Sequence, residues 1–64
     1  MYWVIKFDNR YYSGRMTLRE GVFHPVMVSR AEAKSYKNER QAVMAAEKVK
    51  NTCKGIDGYT IEKE

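Results

Sequence analysis

Residues 2–12 have the sequence YWVIKFDNRYY and contain five of the eight aromatic residues of the chain. Large apolar side chains alternate with polar ones on both sides of Asp8-Asn9, a dipeptide typical of a tight turn. Alternation at period two is the pattern of a strand that buries one face and exposes the other. The stretch therefore predicts a β-hairpin, with strands over residues 2–7 and 11–17.

The register of this hairpin decides which side chains share a face. A two-residue loop at Asp8-Asn9 predicts the pairs Phe7 with Arg10, Ile5 with Tyr12, and Trp3 with Gly14. The face predicted to form the core then contains Trp3, Ile5, Phe7, Tyr12 and Met16. The outward face contains Tyr2, Val4, Lys6, Tyr11, Ser13 and Arg15.

Three further segments are expected to complete the fold. Residues 22–28 form an extended segment, which Pro25 confines to a sheet edge or an irregular run because it has no N–H to donate. Ser29 with Glu32 matches a helix capping box and predicts a short helix reaching residue 36. A turn at Arg19-Glu20-Gly21 joins the second and third extended segments.

The longest helix is predicted over residues 38–53. Asn38 with Gln41 repeats the capping signature at its start, and Lys54-Gly55 provides a basic last turn and a left-handed stop. Its apolar side contains Ala42, Ala45, Ala46, Val49 and Cys53. Residues 59–62 suggest a final short strand. The predicted fold class is α+β: a small antiparallel sheet, with the hairpin at its centre, packed on one long helix. The predicted order is β-β-(β)-α-α-β, in one domain over residues 1–64.

The composition limits the classes of function. Sixty-four residues bury only ~60% of the surface that the unfolded chain exposes, so stability is marginal. The single cysteine excludes an internal disulfide, and no Cys/His cluster predicts a metal. No apolar run approaches the ~20 residues of a membrane span, and no signal peptide is recognisable. We therefore expect a cytoplasmic protein that contacts no membrane.

Residues suited to catalysis are scarce. His24 and Cys53 are the only plausible general base and thiol nucleophile. A lone cysteine on an apolar helix stripe is typical of a core position, and a histidine beside a proline is typical of a surface or edge. The carboxylates occupy turns, helix starts and the tail, where turn formation and capping explain them. The sequence predicts a non-enzymatic protein with no catalytic, cofactor-binding or metal-binding residue.

Binding is the class of function that the sequence favours. The net charge is +4, from twelve Lys and Arg against eight Asp and Glu. Tyrosine and arginine anchor many interfaces because they supply a large contact area with few rotatable bonds. A solvated sheet face without a partner explains the same residue types. The predicted contact residues lie on or beside the hairpin: Tyr2, Lys6, Arg10, Tyr11, Ser13, Arg15 and Arg19.

A first resemblance covers residues 3–50. Apolar residues and the segment of the form "A..Y.N...A..A" resemble small phage or prophage accessory proteins, which open with a hydrophobic hairpin. The matching positions are Trp3-Val4-Ile5-Lys6, Tyr11-Tyr12, Phe23, Ala33, Tyr36-Lys37-Asn38, Ala42 and Ala45-Ala46. The resemblance implies a regulator or inhibitor of a host protein, with a host or phage protein as its partner. Self-association is a related alternative, since a small core gains from a second subunit.

A second resemblance is to the arm-binding domain of tyrosine integrases and to the plant ethylene-response domain. Trp3-Val4-Ile5, Tyr11-Tyr12 and the alanine-rich helix carry it. In that family a three-stranded sheet enters the DNA major groove and a helix packs behind the sheet. The resemblance implies a DNA-binding alternative in which the sheet residues reaching DNA are Lys6, Arg10, Arg15 and Arg19. The chain departs from the family at Pro25, in the third strand, and in the strand-like segment after the helix.

Overall fold

A computed structural model describes all 64 residues of the chain. Its elements are β1 (Trp3–Phe7), β2 (Arg10–Arg19), β3 (Val22–Val28), a 3₁₀ turn (Arg30–Glu32), α1 (Glu39–Thr52) and β4 (Thr60–Lys63). The four strands form one antiparallel sheet in the order β3-β2-β1-β4. The predicted α+β class is confirmed, and the β1–β2 hairpin lies at the centre of the sheet as expected.

The predicted short helix after β3 is present only in part, as a single 3₁₀ turn. Residues 29–36 contain only the 3₁₀ turn, and the Ser29 side chain makes no capping hydrogen bond. The backbone groups that a helix would need are used by the sheet instead. The Lys34 N–H donates to the Tyr12 carbonyl at 3.0 Å, and Tyr36 exchanges two backbone bonds with Trp3 at 2.8 and 2.9 Å. Pairing with distant strands has therefore overridden the local capping signal.

The predicted hairpin register is confirmed only near its turn. Phe7 pairs with Arg10 and Lys6 pairs with Tyr11. Beyond these two pairs β1 and β2 diverge, and Trp3 forms a bridge with Tyr36 rather than with Gly14. The expected pairing of Trp3 with Gly14 is therefore wrong, because residues 34–36 lie between the two strands there.

Gly14 makes this insertion possible. Tyr12 pairs with Met27 and Met16 pairs with Pro25, so residues 13–15 of β2 face Val26 alone. Gly14 adopts φ +90°, which a residue with a Cβ rarely adopts, and a Cβ here would lie 3.1 Å from the Lys34 side chain. The bulge in β2 thus bends the strand away from β1 and lets the chain pass closely over Gly14.

The core lies between the sheet and α1. Its buried members are Ile5, Phe7, Tyr12, Ala42, Ala46, Val49 and Cys53. The Phe7 ring makes edge-to-face contacts, with centroids 6.2 Å apart, with both Tyr12 and Tyr59. Three residues that the sequence assigned to the core lie half-buried at its margin: Trp3, Met16 and Ala45.

The predicted helix boundaries agree with α1. The Asn38 side chain accepts a hydrogen bond from the Gln41 N–H at 2.8 Å, which satisfies one of the free donors at the helix start. α1 ends where Cys53 takes an extended backbone, and Gly55 adopts φ +83° in the turn that follows, so the predicted left-handed residue lies beyond the helix cap. No helix of the chain has both the length and the apolar character needed to cross a bilayer.

The position of Pro25 at a sheet edge is also confirmed. The backbone of Phe23 forms a bridge with Cys53 on the side of β3 away from β2. Pro25 follows two residues later, so its ring nitrogen points to the same outer side. The missing N–H therefore costs the β2–β3 ladder no hydrogen bond.

The molecule is elongated, with extents of 37 × 20 × 17 Å. α1 packs mainly on β1 and β4, so the distal part of the β2–β3 hairpin extends past it. We call this part, residues 15–26, the arm. None of the arm residues is buried, and their pairing ends in a two-residue turn in which Glu20 has φ +51° and Gly21 has φ +78°.

Candidate interaction surface

The face of the sheet opposite α1 contains a network centred on the Glu62 carboxylate. The Tyr11 hydroxyl donates to Glu62 Oε1 at 2.8 Å, and Lys6 Nζ lies 3.8 Å from Oε2. Arg30 also pairs with this carboxylate, and it donates to the Lys63 carbonyl at 3.1 Å. The hydrogen bond from Tyr11, together with the charges of Lys6 and Arg30, lowers the pKa of Glu62 below its ordinary value.

Arg30 crosses the sheet at this point. It contacts Tyr11 on β2 and Glu62 on β4, and β1 lies between those two strands. Its guanidinium also lies 5.7 Å from the centroid of the Tyr11 ring. Val4 shares this face of β1 with Lys6 by strand alternation and is fully buried. The chain after β3 therefore covers much of the face that the sequence predicts to be the outward contact surface.

The seven predicted contact residues do not form one surface. Lys6 and Tyr11 are used within the Glu62 network. Ser13 lies in the bulge, where its hydroxyl accepts a hydrogen bond from the Arg15 N–H at 3.3 Å. The remaining four are exposed: Tyr2, Arg10, Arg15 and Arg19.

Arg10 is separated from the other exposed arginines. It pairs with the core residue Phe7, so alternation puts it on the α1 side of the sheet, and its side chain donates to the Met27 carbonyl at 3.4 Å. Arg19 shares the opposite side with Thr17 and His24. Arg15 is placed on that side by alternation from its neighbour Met16. The structure therefore does not bring Arg10 onto the face that carries Arg15 and Arg19.

The arm has an apolar face and a cationic face. Leu18 is 62% exposed and Phe23 is 42% exposed, and these two residues are directly opposite each other across the hairpin. We call this pair the arm patch. The other face carries Arg15 and Arg19, neither of which forms an ion pair in the structure. The arm thus exposes an apolar pair on one face and cations without ion-pair partners on the other.

The arm patch is continuous with the core. Met16 lies on the same face of β2 as Leu18, and its sulfur is 3.6 Å from Cys53 Sγ. Cys53 in turn is joined to Phe23 through their backbones. The apolar surface on which α1 lies thus extends beyond the C-terminal end of the helix.

The two residues with catalytic potential are not arranged to work together. His24 is next to Phe23, whose backbone forms a bridge with Cys53. Alternation along β3 nevertheless directs the His24 side chain to the opposite face of the sheet from Phe23. Burial raises the pKa of the Cys53 thiol, which disfavours the thiolate nucleophile. The structure contains no enclosed pocket and no group of three or more side chains suited to bind a metal.

Sequence reasoning missed the residues that define these surfaces. Arg30 and Glu62 are 32 positions apart and become partners only because the chain crosses β1. Leu18 and Phe23 followed the apolar alternation of the core face, but nothing local indicated that α1 would end before reaching them. The one available signal was the length of the β2–β3 segment relative to the 14 residues of α1.

Comparison of the chain with protein-family models, with curated proteins and with solved structures finds no match.

Proposed function

We propose that the chain is a non-enzymatic protein-binding module that contacts its partner through the arm. The resemblance to phage accessory proteins extends this proposal to a regulator or inhibitor of a host protein. The observation that carries it is the arm patch, where Leu18 and Phe23 expose 62% and 42% of their surfaces. Exposed apolar side chains in a projecting element are typical of a surface that a partner covers.

The arm replaces the hairpin face as the proposed contact surface. Lys6 and Tyr11 are engaged by Glu62, so a partner at that face would have to displace existing hydrogen bonds and charge pairs. Arg15 and Arg19 keep the role that the sequence predicted for them, because no carboxylate neutralises either one.

Affinity capture from host lysate tests the proposal. We expect the wild-type chain to retain a discrete protein, and the variant Leu18→Ser/Phe23→Ser to lose it, because the apolar anchors are removed. The matched control is Val43→Ser/Met44→Ser, which alters two exposed apolar residues of α1 instead. Equal capture by the wild type and the arm variant would contradict the proposal.

DNA binding through the cationic face of the arm is a second candidate. The major groove admits a two-stranded β-ribbon, and Arg15 and Arg19 lie on one face of such a ribbon. Nuclease treatment of the lysate separates the two functions in the same capture experiment. Capture that nuclease abolishes, and that depends on Arg15 and Arg19 rather than on Leu18 and Phe23, would transfer the assignment to nucleic acid.

A further inference from the structure

The β2 edge of the arm is open. β1 pairs with β2 only at Arg10 and Tyr11, so no strand lies beside the distal half of β2. Outside the regular ladders, no backbone hydrogen bond involves Met16 or Leu18. An unpaired strand edge of this kind is a template for another extended chain.

The direction of the edge groups follows from the turn. Glu20 and Gly21 form a two-residue turn with positive φ at both positions, which closes on the hydrogen-bonded pair Arg19 and Val22. Bonds to β3 therefore recur at Thr17, and the N–H and C=O of Met16 and Leu18 point away from β3. The outward bridge of Phe23, the partner of Leu18, to Cys53 agrees with this alternation.

The other edge of the arm is less open to a strand. The chain after α1 lies beside Phe23 at Cys53, and Pro25 lacks the next outward N–H. The β2 edge, with the sequence Arg15-Met16-Thr17-Leu18-Arg19, has no proline and no strand beside it, so its outward N–H and C=O groups are open to another chain. Its side chains alternate between the cationic face and the apolar face of the arm.

We propose that the β2 edge of the arm binds an extended segment of another protein in which acidic and apolar residues alternate. In an added strand, every second side chain lies on the same face as Leu18 and Phe23, and the others lie beside Arg15 and Arg19. The acidic residues compensate the two unpaired arginines, and the apolar residues cover the arm patch. This inference rests on the proposed protein-binding function and adds the class of partner.

A second copy of the chain is a poorer occupant. An antiparallel pair that sets Met16 against Leu18 of the second copy also sets Arg15 against Arg19, and like charges directly opposite each other are destabilising. The net charge of +4 also disfavours association of two copies, because they repel each other. Charge complementarity therefore favours an acidic segment of a different protein.

Amide hydrogen exchange of the full chain, followed by NMR with synthetic peptides, tests the proposal. The probe is a short peptide in which Glu alternates with Val or Ile. At a peptide concentration about ten times its Kd, we expect exchange at Met16 and Leu18 to slow about tenfold. The Thr17 amide, which is already paired with β3, changes little. Replacing every Glu by Lys should weaken binding at least about tenfold.

Two further peptides test whether binding requires backbone hydrogen bonds to the β2 edge. Methylation of the backbone nitrogens that face the arm should abolish binding, whereas methylation of the alternate nitrogens should not. Absence of binding by the acidic peptide, equal binding of the Lys peptide, or shifts at Leu18 and Phe23 without protection of the Leu18 amide would overturn strand addition. Duplex DNA that perturbs Arg15 and Arg19 while the acidic peptide does not bind would favour nucleic acid. The acidic peptide could fail to bind while capture from lysate is still lost in the Leu18→Ser/Phe23→Ser variant. That result would reject strand addition and still support the proposed protein-binding function.

Discussion

Glu62 connects four separate parts of the chain. Its carboxylate on β4 accepts the Tyr11 hydroxyl of β2 and lies beside Lys6 of β1 and Arg30 of the 3₁₀ turn. Each partner stabilises the ionised form, which is why the pKa of Glu62 is lowered. The same contacts hold the chain after β3 over the sheet and cover Val4.

The acid stability of the protein should depend on this carboxylate. A carboxyl group whose pKa is lower in the folded state stabilises the fold above its unfolded pKa, about 4.3 for Glu, and loses that contribution as the pH falls through the folded pKa. We expect Glu62→Gln to lower the Tm at pH 7. The gap from the wild type should then narrow between about pH 5 and pH 3, where the wild-type carboxylate becomes protonated.

Thermal melts across that pH range check this expectation. Glu20→Gln is the matched control, because Glu20 is exposed in the arm turn and forms no ion pair. A constant Tm difference between Glu62→Gln and the wild type from pH 7 to pH 3 would show that the ionised carboxylate adds nothing to stability.

At the scale of elements, α1 approaches the sheet closely because its inner side is lined by alanine. Ala42 and Ala46 are both fully buried. Small side chains on the helix accommodate the large side chains of the sheet, Ile5 and Phe7, at the density of a protein interior. The contact therefore has little room for added volume.

Ala46→Leu should overpack this contact and cost about 1–3 kcal/mol of unfolding free energy. Ala45→Leu should cost less, because Ala45 is only half-buried. Chemical denaturation measures both, with Met44→Leu as the control at a position that is 63% exposed. If Ala46→Leu and Met44→Leu unfold at the same denaturant concentration, the helix does not lie on the sheet as described.

Elements with a strong local pattern could be predicted from the sequence. The hairpin turn, the edge position of Pro25 and the start of α1 follow from alternation, proline chemistry and capping. Residues 29–36 could not be predicted, since their capping signal competes with backbone pairing to Trp3 and Tyr12. That pairing exists only once the bulge at Gly14 has separated β1 from β2.

In the candidate site, too, features set by local sequence could be predicted and features set by distant elements could not. The sequence predicts Arg15 on the outward face of the second strand and Arg19 in a turn, whereas the structure extends β2 to Arg19, which pairs with Val22. Whether a face is free depends on elements distant in the chain. Arg30 and Glu62 occupy the region around Lys6 and Tyr11, and α1 ends before Leu18 and Phe23. The structure therefore leaves the arm more exposed than the region around Lys6 and Tyr11, where the sequence predicts part of the contact surface.

At the scale of the whole molecule, the protein divides into a packed half and a projecting half. The packed half has all eight buried residues, and the arm has none. Because the arm contributes little to the core, substitutions on its surface should change binding while leaving the fold intact. Leu18 in the arm and Tyr2, directly before β1 in the packed half, are both exposed. Probes at these two positions therefore sample the two halves of the molecule separately.

Site-specific photo-crosslinking shows whether the arm is the contact surface of the protein. A photoreactive phenylalanine analogue is placed at position 18 in one variant and at position 2 in another, and each is irradiated in host lysate. We predict a discrete crosslinked protein from position 18 and none from position 2. The same crosslinked species from position 2 alone, or a diffuse background from both positions, would contradict the claim.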